Sequence, residues 1–171
     1  APQVVHKSDV GGVRLNIRDP EMLAAAFNAM LEQIHSAVPN ARIDGVLLQP
    51  MVSQGRELIL GGRQDPQFGP VVLVGVGGIL VEILEEVTVR VAPFGADTAR
   101  EMIENLRIYP ALLGARGEKP ADLEATIAAI CRLSQLLCDF PQVKEIDINP
   151  LRIFEQKEGV RALDARVILE K

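Results

Sequence analysis

Asp147 and Asn149 lie in the segment EIDINPL, whose isoleucines and leucine are typical of a buried strand, and Asp164 follows in the segment LDAR. Strands and protein interiors both disfavour Asp and Asn, so their presence here requires a reason. If the last two strands form a hairpin with a loop at 155–158, Asn149 lies opposite Asp164 and Asp147 lies opposite Arg166. Because side chains alternate along a strand, these four polar groups then share one face. The opposite face is apolar and carries Ile146, Ile148, Pro150, Leu163, Ala165 and Val167.

This register predicts a magnesium site. Opposed side chains on paired strands have Cβ atoms about 4.5–5.5 Å apart, so the Asn149 amide oxygen and the Asp164 carboxylate can reach one hard cation. Two protein ligands suit a metal that arrives with a nucleotide better than a closed structural site. The alternative is a solvated strand face with an Asp147–Arg166 ion pair, worth about 0–1 kcal/mol if exposed. Spacing alone leaves both readings open.

The same register has one unfavourable consequence. It sets Arg152 opposite Arg161, and directly opposed like charges destabilise a strand pair. A bulge near the turn would remove this contact. A slip of one residue, by contrast, would mix the polar and apolar faces along the whole hairpin, so the pattern still favours the register.

Three further features could carry chemistry. His6 could accept a phosphoryl group, although a single His near a chain end is more often merely exposed. Glu57 is the only acid in the apolar segment GRELILGG and is either an outward-facing edge residue or a polar group that lines a pocket. Gly75, Gly77 and Gly78 do not form a dinucleotide fingerprint, because Leu80 replaces its third glycine, so they favour a close backbone approach or a bulge.

The helices and strands that must position these residues are predicted from the spacing of apolar residues along the chain. A strand is predicted at 13–17, followed by a helix that Asp19 caps and Pro20 begins. This helix is expected to bury one face, formed by Met22, Leu23, Ala26, Phe27, Met30, Leu31 and Ile34. The segments VLLQPMV, RELILGG, VVLVGVGG and EEVTVRVAPF then predict four sequential strands. In the last of them, valines alternate with Thr88 and Arg90, which indicates one wet face.

Two helices precede the final hairpin. The first has a capping-box pattern, Thr98 with Glu101, and is predicted to bury Ala99, Met102, Ile103 and Leu106. The second is predicted to start at Pro120, to end before Pro141 and to pack Leu123, Ile127, Ile130 and Leu137. The fold class is therefore α+β, with a largely antiparallel mixed sheet and flanking helices.

Composition excludes several classes of protein. The chain has 171 residues with a formal net charge of −5, five Phe, one Tyr and no Trp, which argues against nucleic-acid binding. No apolar run is long enough to span a bilayer, and no signal peptide is visible. Cys131 and Cys138 lie seven residues apart in one predicted helix, too far for a disulfide, which favours a reducing cytoplasm. The chain begins APQVV, without Met, which favours a piece of a longer protein.

Four segments together resemble a known family. The resemblance is to the ATP-grasp unit of ADP-forming acyl-CoA synthetases (acetate–CoA ligases). It is carried by HKSDVGGV, by the long stretch from QPMVSQGRELILGG to LVEILEEV, by LLGARG and by EIDINPL. They are more distantly similar to the β subunit of succinyl-CoA synthetase. The resemblance implies an acid–thiol ligase that interconverts acyl-CoA, ADP and phosphate with free acid, CoA and ATP. It also implies ATP or ADP and Mg²⁺ as cofactors, with a phosphohistidine carried by a partner CoA-binding domain or subunit.

The resemblance also implies roles for individual residues. Asn149 and Asp164 match metal ligands, and Asp147 matches an acid that approaches the phosphohistidine. His6 matches a second phosphoryl relay histidine. The hinge between lobes, expected to contact adenine, is matched by Gln49, Met51 and Val52, with Glu57 as the acid that follows it.

The domain organisation implied is a single partial ATP-grasp domain over 1–171. Residues 1–52 complete the lobe before the hinge, and residues 53–171 form the C-terminal lobe. The first part of the complete unit, with its nucleotide-binding Lys, is not in this sequence, so the chain alone is expected to be incomplete and inactive. Two other readings stay open: a regulatory ATP-grasp-like unit of a protein lysine acetyltransferase, and a non-catalytic subunit-association module. The acyl substrate is not readable from the sequence.

Overall fold

The computed structural model describes residues 11–52, 54–77, 86–114 and 117–170. The chain divides into two compact units, Ala1–Ser53 and Gln54–Lys171. Within the described residues, no helix combines the length and the hydropathy needed to cross a membrane.

The first unit is built on one helix, α1 (Pro20–Ala37). It begins as predicted: Pro20 occupies the first turn, and the Asp19 side chain accepts a hydrogen bond from the Met22 backbone N–H. The predicted buried face is confirmed in part, since Leu23, Ala26, Met30 and Leu31 are half-buried. Only Ile34 of this helix is buried, whereas Met22 and Phe27 are exposed. The small apolar cluster around Ile34 comes from the helix itself and the segment that follows it, through Met30, Val38, Ala41 and Ile43.

Two strands predicted for this unit do not form. Residues 13–17 and 46–52 have no regular secondary structure. At Asn16 the backbone φ is 60°, a left-handed conformation that a regular strand does not contain. Leu47 is 82% exposed and Leu48 is 63% exposed, so this apolar run has no ladder partner or core among the described residues.

The second unit contains a six-stranded antiparallel sheet. Its strands are β1 (Arg56–Asp65), β2 (Gly69–Val76), β3 (Val87–Val91), β4 (Val143–Ile153), β5 (Val160–Ala162) and β6 (Ala165–Leu169). The spatial order is β3-β2-β1-β4-β5, and β6 also pairs with β4. The strand predictions for this unit and the α+β, largely antiparallel class are confirmed.

Helices cover one face of this sheet. They are α2 (Ala96–Glu104), α3 (Tyr109–Leu112) and α4 (Leu123–Asp139). The four residues predicted to be buried around α2 are all 2% exposed or less. The predicted capping box is wrong, because α2 begins earlier, with Gly95 at its N-cap and no side-chain cap. Helix α4 begins at Leu123 rather than Pro120, and Asp122 is its cap.

The core lies between the sheet and these helices. Leu58 and Leu60 of β1, Val72 and Val74 of β2, and Ile130 and Leu137 of α4 are each 1% exposed or less. Alternate residues on β1 and β2 therefore point toward the helices, and the residues between them point to the opposite, open face. That open face carries the candidate site.

Candidate functional site

The final hairpin adopts the predicted register. Ile153 pairs with Val160, Ile148 with Ala165, and Asp147 with Arg166. The turn closes at 155–158, as the pattern predicted. The apolar face is only partly buried, however. Ile146 is buried, but Val167 is 53% exposed because β6 lies at the edge of the sheet.

Asn149 and Asp164 lie next to each other at an irregular point of this hairpin. The Asn149 backbone N–H donates to the Asp164 carbonyl over 3.1 Å, and the Leu163 N–H donates to the Pro150 carbonyl over 3.1 Å. These two bonds join β4 to the short break between β5 and β6. Both Asn149 and Asp164 are exposed. The fold thus places an amide and a carboxylate side by side at the surface.

A bulge in β4 explains why an apolar strand tolerates these polar residues. Leu58 of β1 pairs with Leu151, and Leu60 pairs with Ile148, so one β1 residue lies opposite the two β4 residues Asn149 and Pro150. The extra residue shifts the alternation of β4. Ile146 before the bulge and Leu151 after it both reach the core. The polar residues at and before the bulge are left on the other side, so the strand buries its apolar side chains without burying Asp147 or Asn149.

Asp147 borders a groove on the open face of the sheet. It pairs with Gly61 of β1, and the groove has a volume of ≈ 440 Å³. The walls are mostly apolar, with Ile59, Leu73 and Val89 among them, and Glu145 lies beside Asp147. Arg166 is the cross-strand neighbour of Asp147, but the described residues include no ion pair between these two side chains. The Asp147 carboxylate is therefore not neutralised by Arg166.

The valines of β3 contribute to this open face, contrary to expectation. Val87, Val89 and Val91 are 47–51% exposed, whereas Thr88 and Arg90 are half-buried. Thr88 donates through Oγ1 to the Met102 carbonyl at 3.0 Å, which satisfies its hydroxyl on the helix side. The predicted alternation is confirmed, but the valines lie on the exposed face, and Thr88 and Arg90 lie on the face toward the helices.

Glu57 lies on the same open face, four residues before Gly61 on β1. Its Oε1 forms an ion pair with Nη2 of Arg152 at 2.6 Å, and Nη1 of Arg152 donates to the Gly55 carbonyl at 3.1 Å. Arg152 does lie opposite Arg161, as the register required. The like charges are accommodated without a bulge at the turn, because Arg161 lies over the Phe154 ring, 5.6 Å from its centroid.

The remaining predicted residues belong to the first unit, to the neighbourhood of Glu57, or to segments outside the described residues. Gln49, Met51 and Val52 belong to the first unit, in a segment without regular structure. His6 lies outside the described residues, and so does Gly78. Gly77 fits the close-approach interpretation, since a Cβ there would lie 3.0 Å from the Glu57 backbone carbon. Gly75 fits it too, since its Cβ would meet the Val87 side chain at 2.9 Å.

Sequence reasoning missed Arg152 as part of the site. It treated this residue only as a defect of the hairpin register. Its partner Glu57 lies on β1 and its partner Gly55 lies just before that strand, and the β1–β4 pairing with its bulge cannot be read from either strand alone. The only available signal was the combination of an isolated acid in one apolar strand with an isolated Arg in another.

The fold and the oxygen-rich edge of its open face define a class of protein. Residues 1–169 match the ATP-grasp domain family, and the chain belongs to that family. Among its relatives, the β subunit of acetate–CoA ligase (ADP-forming) I from Pyrococcus furiosus is 46% identical over 169 residues, which is 99% of this chain and 72% of that protein. The acetate–CoA ligase (ADP-forming) I of Archaeoglobus fulgidus is also 46% identical over 169 residues, but the chain spans only 24% of its length.

A solved structure is similar as well. The dinucleotide-forming acetyl-coenzyme A synthetase 1 of Candidatus Korarchaeum cryptofilum matches with a TM-score of 0.86 and 38% identity, covering 99% of this chain and 73% of that chain. That structure was determined in complex with coenzyme A and Mg-AMPPCP, with a phosphohistidine segment pointing towards the nucleotide-binding site. The family resemblance predicted from the four sequence segments is confirmed.

Proposed function

We propose that this chain is the nucleotide- and magnesium-binding part of an ADP-forming acyl-CoA synthetase. The reaction interconverts acyl-CoA, ADP and phosphate with free acid, CoA and ATP. The observation that carries the proposal is the pairing of Asn149, in the β4 bulge, with Asp164 across the final hairpin, in a chain that belongs to the ATP-grasp family. The names of the relatives support the ligase activity, and the nucleotide in the related structure supports the ligand.

The residues present fit a magnesium ion. An amide oxygen and a carboxylate are hard donors, and both side chains are exposed beside each other. Within the described ranges there is no group of three or more His, Cys, Asp or Glu that could hold a metal. Two ligands fit an ion whose remaining positions are filled by water and phosphate oxygens. When bound, Mg²⁺ neutralises charge on the phosphate oxygens during phosphoryl transfer.

The roles of the remaining residues follow from the resemblance and from their positions. Asp147, at the border of the groove and not neutralised by Arg166, is suited to orient a histidine side chain by accepting a hydrogen bond from one ring nitrogen. That histidine would come from the phosphohistidine segment of the CoA-binding partner. We assign adenine contacts to Gln49, Met51 and Val52, and a phosphoryl relay to His6, on the resemblance alone. Glu57 is assigned to the nucleotide.

The metal assignment is tested by calorimetric titration of the complete natural protein, with any partner subunits, with ADP in the presence and absence of Mg²⁺. We expect Asp164→Asn to weaken Mg-ADP binding at least tenfold, since it removes the charged ligand, and to leave metal-free ADP binding nearly unchanged. Glu158→Gln is the matched control, because Glu158 is an exposed acid in the turn of the same hairpin. Equal Mg-ADP affinity in Asp164→Asn and wild type would contradict the assignment.

The same preparation separates the ligase from the two other readings. Formation of acyl-CoA with ADP release supports the ligase. Tight Mg-nucleotide binding without turnover would point to a regulatory unit, as in a protein lysine acetyltransferase. Failure to bind any Mg-nucleotide would point to a subunit-association module.

A further inference from the structure

We propose that Arg152 is a positioning residue of the nucleotide site: it fixes the Glu57 carboxylate so that one carboxylate oxygen remains available to accept hydrogen bonds from the hydroxyl groups of the ligand's ribose. This inference rests on the proposed function, because it assigns a ligand to Glu57. It adds a residue, Arg152, that neither the hairpin pattern nor the family resemblance singled out.

The guanidinium of Arg152 is held from two sides. Nη2 lies 2.6 Å from Oε1 of Glu57, and Nη1 donates to the Gly55 carbonyl at 3.1 Å. The first contact is to a side chain and the second is to the backbone just before β1, so the plane of the guanidinium is fixed relative to the strand that carries Glu57. The Arg152 side chain is only 15% exposed, which further limits its motion. A planar group held by two contacts transmits its orientation to the carboxylate.

Only one oxygen of Glu57 is used by this contact. Among the described residues, Oε2 has no hydrogen-bond donor, and the side chain is 30% exposed on the open face of the sheet. An ionised carboxylate only accepts hydrogen bonds, so its natural ligand group is a donor without negative charge. In a nucleotide these donors are the sugar hydroxyls and the base amine. A vicinal diol offers two adjacent hydroxyls, and we therefore assign the ribose to Oε2.

The ion pair also changes the electrostatics of the site. An unpaired Glu57 would add a negative charge to a face that already carries Glu145 and Asp147, and this would repel the phosphates of a nucleotide. Pairing with Arg152 cancels that charge and keeps the hydrogen-bond acceptor. The carboxylate therefore serves as a directed acceptor at little electrostatic cost to phosphate binding.

Two local costs indicate that Arg152 is not there for stability alone. Its backbone partner across the hairpin is Arg161, a like-charge pair that strand pairing disfavours. In addition, its Nε is buried without a hydrogen-bond partner in the described part of the chain. A buried donor without an acceptor is unfavourable. Positions that break local rules in this way are expected at functional sites.

The test compares Arg152→Met and Arg152→Lys with the control Arg161→Met in the complete natural protein. Arg161 is the matched control because it lies directly across the hairpin, is exposed and has no part in the site. Affinities for Mg-ADP and for Mg-2′,3′-dideoxy-ADP are measured by calorimetry, and melting temperature reports folding. We expect Arg152→Met to weaken the binding of both nucleotides, because the unpaired Glu57 repels their phosphates, and to weaken Mg-ADP binding about tenfold more than Mg-dideoxy-ADP binding, because only ADP has the ribose hydroxyls. Arg152→Lys should fall between Arg152→Met and wild type, and Arg161→Met should match wild type.

A double-mutant cycle with Glu57→Gln completes the experiment. If Arg152 acts through Glu57, the variant carrying both changes should discriminate between the two nucleotides no worse than either single variant. Should Arg152→Met be unfolded, the comparison of Arg152→Lys with Glu57→Gln carries the test. Folded Arg152 variants that still prefer ADP as wild type does would overturn the inference and leave the proposed function standing. A wild-type protein that binds no Mg-ADP would instead refute the proposed function, and the inference with it.

Discussion

Two adjacent glycines of β1 offer a sharp test of which side of the sheet is packed. The change is Gly62→Ala, with Gly61→Ala as its control. Gly62 points toward the helices, and a Cβ there would lie 2.3 Å from Cδ1 of Leu137 and 3.1 Å from the Val71 carbonyl oxygen. Gly61 points to the open face, where a Cβ would meet only the Ile146 carbonyl oxygen, at 3.5 Å.

The expected change in unfolding free energy depends on which neighbouring atoms must move to admit the new methyl group. Leu137 is fully buried in the core between α4 and the sheet, so it cannot withdraw into solvent, and the Val71 oxygen belongs to the backbone of β2. Forcing an extra methyl group into a packed core costs about 1–3 kcal/mol. At Gly61 the added methyl group would lie at ordinary van der Waals distance from the Ile146 carbonyl oxygen. Replacing this glycine should stabilise the chain by up to about 1 kcal/mol, because alanine has less conformational freedom in the unfolded state.

The assay is urea unfolding followed by circular dichroism, with both variants measured beside wild type. We expect the midpoint for Gly62→Ala to fall clearly and that for Gly61→Ala to stay level or rise. The reasoning would be refuted if Gly62→Ala were as stable as Gly61→Ala, since α4 would then not pack against β1 at the observed distance. It would also be refuted if the order of the two variants were reversed, because β1 would then face the other way.

Three further predictions concern single side chains. Asp122 is buried, caps α4 and accepts a hydrogen bond from the Gly159 N–H at 2.9 Å. Asp122→Ala should therefore lower the free energy of unfolding by about 2–4 kcal/mol. Asp97 is exposed, so Asp97→Ala should change it little in the same unfolding assay. Hydrogen bonds from the backbone of the following turn lower the pKa of Asp65 below its usual 3.8. At neutral pH the melting temperature of wild type should therefore be higher than that of Asp65→Asn. This difference in melting temperature should vanish as the pH falls through the lowered pKa. Burial raises the pKa of Cys131, so iodoacetamide should alkylate its thiol more slowly at pH 7 than a cysteine in an unstructured peptide, and equal rates would contradict this.

The parts of the fold that were predictable from sequence are those in which partners are near in the chain. The hairpin register followed from a short turn and from the alternation of Asp147 and Asn149 with isoleucines, because a one-residue slip would have mixed the polar and apolar faces. The buried face of α2 followed from its helical period in the same way. These patterns specify local pairing, and the structure reproduces both.

The errors occurred where the partner was distant or where the environment decided the result. The valines of β3 alternate as a strand should, but alternation does not say which face meets the helices, and here the valines are exposed and Val89 borders the groove. The segment 46–52 has the composition of a strand without forming one, because composition supplies no ladder partner. The role of Arg152 was not predicted because its ion-pair partner Glu57 lies on β1, which is far from Arg152 in sequence and lies beside it only in the assembled sheet.

The two halves of the candidate site differ in how much the fold has already neutralised them, and this difference bears on how a metal ion and a nucleotide would bind together. Glu57 is paired with Arg152, whereas Asp147 and Asp164 form no ion pair among the described residues. The hairpin edge therefore favours a cation, but two oxygen ligands leave most of a magnesium ion's coordination to water and phosphate. If the phosphates complete that coordination, metal and nucleotide must strengthen each other's binding by the same factor, because linkage is reciprocal. Under the proposed function, neither the metal ion nor the nucleotide would be held firmly by this site until both are present.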